Sequence, residues 1–167
     1  KDLKTIHEYR RTAIKNGVIS ENLKNYFEAK CIFKTDTFLA KIKIKGDFPD
    51  HLAGEKISFR IKLKNKKHIK GMSSFSIQDP KTRNYIYEWV FHQFFKLEKI
   101  TSLKYFFFNV IVNDEEKGIY AVEEFFNNDM LISNKKQISP IIKISEENLF
   151  FENNCTHCKN HNELVDE

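Results

Sequence analysis

The sequence predicts an α+β fold, a mostly antiparallel sheet with one long helix packed on it. Three observations predict it. Over Phe27–Phe33, Phe38–Lys45 and Ile57–Lys64, apolar residues recur at every second position, the period of a half-buried strand. From Pro80 to Lys99 they recur at helical spacing, behind a start signal. The longest apolar run, Tyr105 to Val112, reads as a buried strand, and Asp114-Glu115-Glu116 turns it back. The chain has 167 residues, enough for one domain with a real core, and only 5 Gly and 3 Pro argue against long linkers.

Taken in order, residues 1–24 are polar and helical in character. Ile6, Tyr9, Ala13 and Ile14 share one side, and Gly17 can end the helix. Phe27, Ala29, Cys31 and Phe33 start the first strand, and Lys34–Thr37 is a turn. Phe38 to Lys45 follows, with Ala40, Ile42 and Ile44 on one face and Lys41, Lys43 and Lys45 on the other. Residues 46–56 form a loop. Ile57, Phe59, Ile61 and Leu63 then face away from Ser58, Arg60, Lys62 and Lys64, and short strands are expected at Ile69 and at Phe75–Ile77.

Asp79 is a good N-cap, and Pro80 suits the first helical position, where its missing N–H costs nothing. The expected helix runs over 80–99. Its apolar stripe is Ile86, Trp89, Val90, Phe94 and Leu97, with Asn84, Glu88, His92 and Lys96 on another face. A hairpin over 105–123, a helix over 125–133 and a last strand over 138–144 complete the expectation. The units are an N-terminal helical segment 1–26, a lobe 27–144, and 145–167 as a polar tail or the start of a further lobe.

Charge is uneven. Residues 1–83 carry 20 Lys and Arg against 9 Asp and Glu, whereas 84–167 carry 8 against 14. A basic half suits an anionic partner, either a nucleotide or a nucleic acid, although lysines also cover the solvent faces of strands. Three cysteines without dense spacing do not make a disulfide scaffold. No apolar stretch approaches the ~20 residues of a membrane span. The chain starts at Lys1 and reads as a fragment.

Several short motifs recur together. Lys45-Gly46-Asp47, Ser58-Phe59-Arg60-Ile61-Lys62-Leu63 and Gly71-Met72 come first; Arg83-Asn84-Tyr85, Gly118-Ile119-Tyr120 with Glu124, and Ile141-Ile142-Lys143 follow. In this order they resemble the opening of the CotH kinase family, atypical protein kinases named for a spore-coat protein. The resemblance covers roughly residues 41–144. It implies a protein-kinase N-lobe, ATP and Mg²⁺, and phosphate transfer to Ser or Thr of a protein substrate. The later catalytic and metal-binding motifs of the family do not appear before Glu167, so no catalytic residue is expected here and the chain alone is expected to be inactive.

Phosphoryl transfer needs cations on the phosphates. Arg60, Lys62 and Lys64 stand on one strand face, and Lys62 is the expected phosphate lysine. Glu88, on the polar side of the long helix, would orient it. Arg83, a cation in the first helical turn, needs an acidic or phosphate partner. Of Glu123 and Glu124, the resemblance favours Glu124 as the inward one, with Lys143 as its cation. The loop residues Asp47, Asp50 and His51 could serve a metal or a phosphate cover, but loops rich in Asp and Gly are usually only turns. Cys155, His157, Cys158 and His161 offer half of a zinc site, but a second Cys/His pair is absent, so no metal site is expected and the segment reads as an exposed tail. Two other readings compete: a non-catalytic basic module that grips RNA or another polyanion, and a degenerate kinase fold used as a scaffold.

Overall fold

A computed structural model of the chain describes residues 2–46 and 49–142. Its centre is a curled six-stranded antiparallel sheet in the order β1-β2-β3-β4-β6-β5. The strands are β1 (Phe27–Phe33), β2 (Asp36–Ile44), β3 (Phe59–Leu63), β4 (Ser74–Gln78), β5 (Tyr105–Val112) and β6 (Glu115–Glu124). The helices are α1 (Asp2–Asn16), α2 (Asp50–Ala53), α3 (Tyr87–Leu97) and α4 (Asn128–Ser133), with 3-10 turns at Glu21–Leu23 and Pro80–Arg83. The α+β expectation holds.

Alternation along the strands makes the core. Ala40, Ile44, Phe59, Ile61, Leu63, Phe75, Ile77, Tyr120 and Val122 are buried on one face, together with Ile6 and Ala13 from α1. The N-terminal helix therefore shares the sheet's core. Each core side chain of Val or Leu size contributes about 1.5–3 kcal/mol of apolar burial. Leu103, Met130 and Leu131 form a smaller cluster under α4.

Three expectations need correction. The helix over 80–99 is two pieces. Asp79 does cap its start, accepting from Lys81 N at 3.1 Å, and Pro80 does lead. But Asn84 and Tyr85 adopt left-handed backbone (φ 48° and 61°), which no α-helix accommodates. The apolar stripe is also turned outward: Ile86, Trp89, Phe94 and Leu97 are exposed, and the buried residue of α3 is His92. Finally, residues 138–142 form no strand, and Ile142 is exposed; residues 143 and 144 lie outside the described residues.

The expected loop 46–56 contains α2, which is pinned to α1 and to the start of β3. Arg10 Nε donates to the Leu52 carbonyl at 2.7 Å, and Ser58 N donates to the His51 carbonyl at 3.0 Å. His51 Nδ1 lies 3.1 Å from Ser58 Oγ, with both residues buried. Gly46 (φ 105°) lets the chain pass this ring, since a Cβ there would sit 2.3 Å from it.

Burial pushes the His51 imidazole down to about 4; Lys45 and Arg83 lower it further, and Asp50 and Glu123 oppose them. The folded pKa lies below the ordinary value of 6.5, so the unfolded chain binds more protons between those values. The His51 contribution is neutral above pH 6.5 and increasingly destabilising as pH falls toward 4. Denaturant titrations of wild type and His51→Gln should therefore diverge across that window, with wild type losing more stability on acidification. Parallel curves would contradict the buried neutral ring.

Candidate functional site

The second face of the sheet is polar. Lys43, Arg60, Ser76, Glu123 and Tyr105 lie side by side across β2, β3, β4, β6 and β5 in register. Lys45 continues β2 by one residue, its N–H donating to the Ser58 carbonyl at 2.9 Å. Its side chain then points away from the core that Ile44 enters, onto this second face.

Lys45 Nζ donates to Gln78 Oε1 at 2.6 Å and forms an ion pair with Glu123. Gln78 Nε2 donates to the Tyr105 hydroxyl at 3.4 Å. Tyr105 stacks on His92 with centroids 5.6 Å apart. Glu88 links the helix to the preceding turn: its carboxylate is 3.8 Å from His92 Nε2 and 3.6 Å from Arg83 Nε. The Arg60 guanidinium lies over the Phe125 ring, 4.0 Å from its centroid.

Helix α3 packs against β5 at the border of this face with its polar side, where His92 stacks on Tyr105. Glu88 and His92 are four residues apart, so they project together, and His92 is only 5% exposed. A sheet face that carries Lys45, Arg60 and Glu123 cannot be covered by Trp89 or Phe94 without burying charges against hydrocarbon.

Burial dominates the electrostatics. It pushes the Lys45 ammonium down although Glu123 raises it, and it pushes Arg60 and His92 down as well. His92 is thus held as neutral imidazole, with one N–H to donate. Burial likewise raises the Tyr105 hydroxyl.

Among the described residues, the buried side-chain atoms without a hydrogen-bond partner are Arg60 Nε, Ser76 Oγ and both ring nitrogens of His92. A buried polar atom left dry costs about 1–3 kcal/mol, so such atoms are few in folded proteins. Here all of them belong to one neighbourhood, next to Glu123 and Tyr105. Three cations (Lys45, Arg60, Arg83) face two carboxylates (Glu88, Glu123), and the unpaired atoms include donors. This chemistry suits an anion with several acceptor oxygens, for which a guanidinium offers a planar fork.

The expected residues are divided. Arg60, Arg83 and Glu88 belong to the cluster. Arg83 finds its acidic partner in Glu88, so Glu88 faces Arg83 and His92 rather than Lys62. Lys62 is exposed one row away, opposite Lys41 and Ser74, and Lys64 pairs with Glu28 at the sheet's edge. Glu124 does point inward and is 2% exposed, but on the core side. Its cation is Lys104, whose Nζ lies at 2.6 Å and whose backbone N donates at 3.0 Å. Lys143, Asp47, Cys155, His157, Cys158 and His161 lie outside the described residues. Lys45, Ser76, Gln78, Glu123, Tyr105 and His92 were not singled out as site residues by the sequence. Strand register was the available signal, because Lys45 shares the lysine face of β2 and Glu123 was one of two candidates.

Among the described residues, no three His, Cys, Asp or Glu side chains group to hold a metal ion, and no helix is long and apolar enough to cross a membrane. Comparison with protein-family models and with curated proteins found no match.

The Lys45 and Glu123 side chains are 12% and 19% exposed, so removing one partner strands a mostly desolvated charge, at about 1–3 kcal/mol. Lys45→Met and Glu123→Gln should each destabilise strongly, and the double variant should cost less than their sum by about 1–3 kcal/mol. A urea double-mutant cycle measures this coupling, and strict additivity would refute the pair.

Proposed function

We propose that this chain is the nucleotide-binding lobe of a CotH-like protein kinase, which takes the phosphates of ATP at the Lys45–Arg60–Arg83 cluster. The observation that carries the reading is the concentration of half-buried cations and unpaired polar atoms where one sheet face meets the Pro80–Arg83 turn and the polar side of α3. The motif resemblance supports it independently, since Lys45, Arg60 and Arg83 all fall within the motifs that carry that resemblance.

On this reading Lys45, held by Glu123 and Gln78, is the phosphate lysine, and Lys62 is a surface residue. Arg60 presents its guanidinium to phosphate oxygens while Phe125 fixes its plane. Glu88 positions Arg83. Rigid strands hold these groups, so little ordering entropy is lost when an anion arrives. When bound, ATP supplies the transferable phosphoryl group to a protein Ser or Thr. Mg²⁺, which the resemblance implies, would be held by phosphate oxygens together with one or two carboxylates.

The basic module for RNA or another polyanion would instead use exposed lysines such as Lys30, Lys41 and Lys62. The degenerate scaffold would share the fold and lack nucleotide binding.

Thermal unfolding with and without Mg·ATP separates the three. At 100 times its dissociation constant a ligand stabilises by about 2.7 kcal/mol. The expected result is an upward shift that Arg60→Gln abolishes and Lys62→Ala leaves intact. No shift, with RNA binding that weakens steeply with salt and is lost in Lys41→Ala/Lys62→Ala, would overturn the reading in favour of the polyanion module. Neither response would favour the scaffold.

A further inference from the structure

The outward side of α3 is an apolar surface that the site does not use. Trp89 is 40% exposed, Phe94 59% and Leu97 75%, with Ile86, Phe91 and Ile100 exposed beside them. Six such side chains, each leaving roughly half its area open, present on the order of 600 Å². That is at the top of what a monomer ordinarily leaves bare.

At the C-terminal end of this face, a cleft of about 260 Å³ runs between α3 and the end of α4. Lys96, Lys99 and Lys136 line it with Ile100, and Ser102 and Asn134 form its floor, joined by hydrogen bonds of 3.0 Å. The face is therefore apolar along the helix and cationic at one end. Trp89, Lys96 and Leu97 are seven and eight residues apart, so they share one side of α3.

We propose that the occupant of this face is a segment of the same chain, Glu146–Glu152, with the sequence EENLFFE. Its composition is complementary: Leu149, Phe150 and Phe151 are flanked by Glu146, Glu147 and Glu152, with no basic residue among them. The apolar triplet meets Trp89, Leu97 and Ile100, and the glutamates meet Lys96, Lys99 and Lys136. Reach is ample. Lys136 already lines the cleft, and the ten residues from there to Glu146 can extend ~33 Å, against ~17 Å for the whole of α3. A second copy is the weaker occupant, because the face is smaller than the ~800 Å² that each partner of a stable complex buries. The proposal does not depend on the nucleotide reading.

Trp89 is the chain's only tryptophan and lies on the face itself, so its fluorescence reports the cover directly. Acrylamide quenching of the full chain is compared with that of Leu149→Asp/Phe150→Asp/Phe151→Asp and of Lys96→Glu/Lys99→Glu/Lys136→Glu. Each variant should raise the quenching constant at least twofold and shift emission to the red, with far-UV circular dichroism unchanged. Reversing Glu146, Glu147 and Glu152 to Lys in the second variant should restore shielding, as should adding a peptide of residues 143–167 to the first. Equal quenching in the full chain and the tail variant would overturn the proposal. So would shielding that rises with protein concentration, which would place a second copy on the face.

Discussion

Everything on the second face of the sheet depends on the burial of Lys45 against Glu123. The strands bring both side chains to the same side, away from the core that Ile44 and Val122 occupy. Once there, the two charges must compensate one another, and the covering element must be polar where it meets them. That requirement determines how α3 sits. A helix with Trp89, Phe94 and Leu97 on one side would ordinarily bury that side. Here the sheet beneath it is charged, so Glu88 and His92 turn inward and the aromatic side turns out.

The same constraint separates Glu123 from Glu124. Adjacent residues in a strand face opposite ways. Glu123 therefore joins Lys45 and Arg60 on the polar face, while Glu124 is held on the core side by Lys104. Two neighbouring carboxylates have different partners, and only one can take part in chemistry on the polar face. Arg60 gains from its place between them and β2. Its strand neighbours are Lys43 and Ser76, its plane is set by Phe125, and its Nε is left without a partner.

Period-two alternation made the sheet legible in the sequence, since a strand with one buried face must write its apolar residues at every second position. The hairpins β1–β2 and β5–β6 and the core face of β3 follow from that rule. The break at Asn84 was not legible, because the Asp79-Pro80 start signal and the helical spacing beyond it run on as if one helix joined them. The inward side of α3 was misread for a related reason: amphipathicity says that one side is covered, but not what chemistry covers it. Arg60, Arg83 and Glu88 were accessible as candidates because charge on a strand face or in a first helical turn asks for a partner. Lys45 was missed because its partners, Gln78 and Glu123, are far away in sequence and meet it only through strand register.

The strand order also has a kinetic consequence. β1 to β4 pair with their chain neighbours, and so do β5 and β6, so each group can form through local hairpins. The pairing of β4 with β6 joins the two groups across the intervening chain, and its loop-closure entropy must be overcome before its contacts repay it. Lys45 lies on one side of that seam and Glu123 on the other. The Lys45–Glu123 pair is thus made when the two halves of the sheet meet, and an intermediate with every hairpin formed would still lack it.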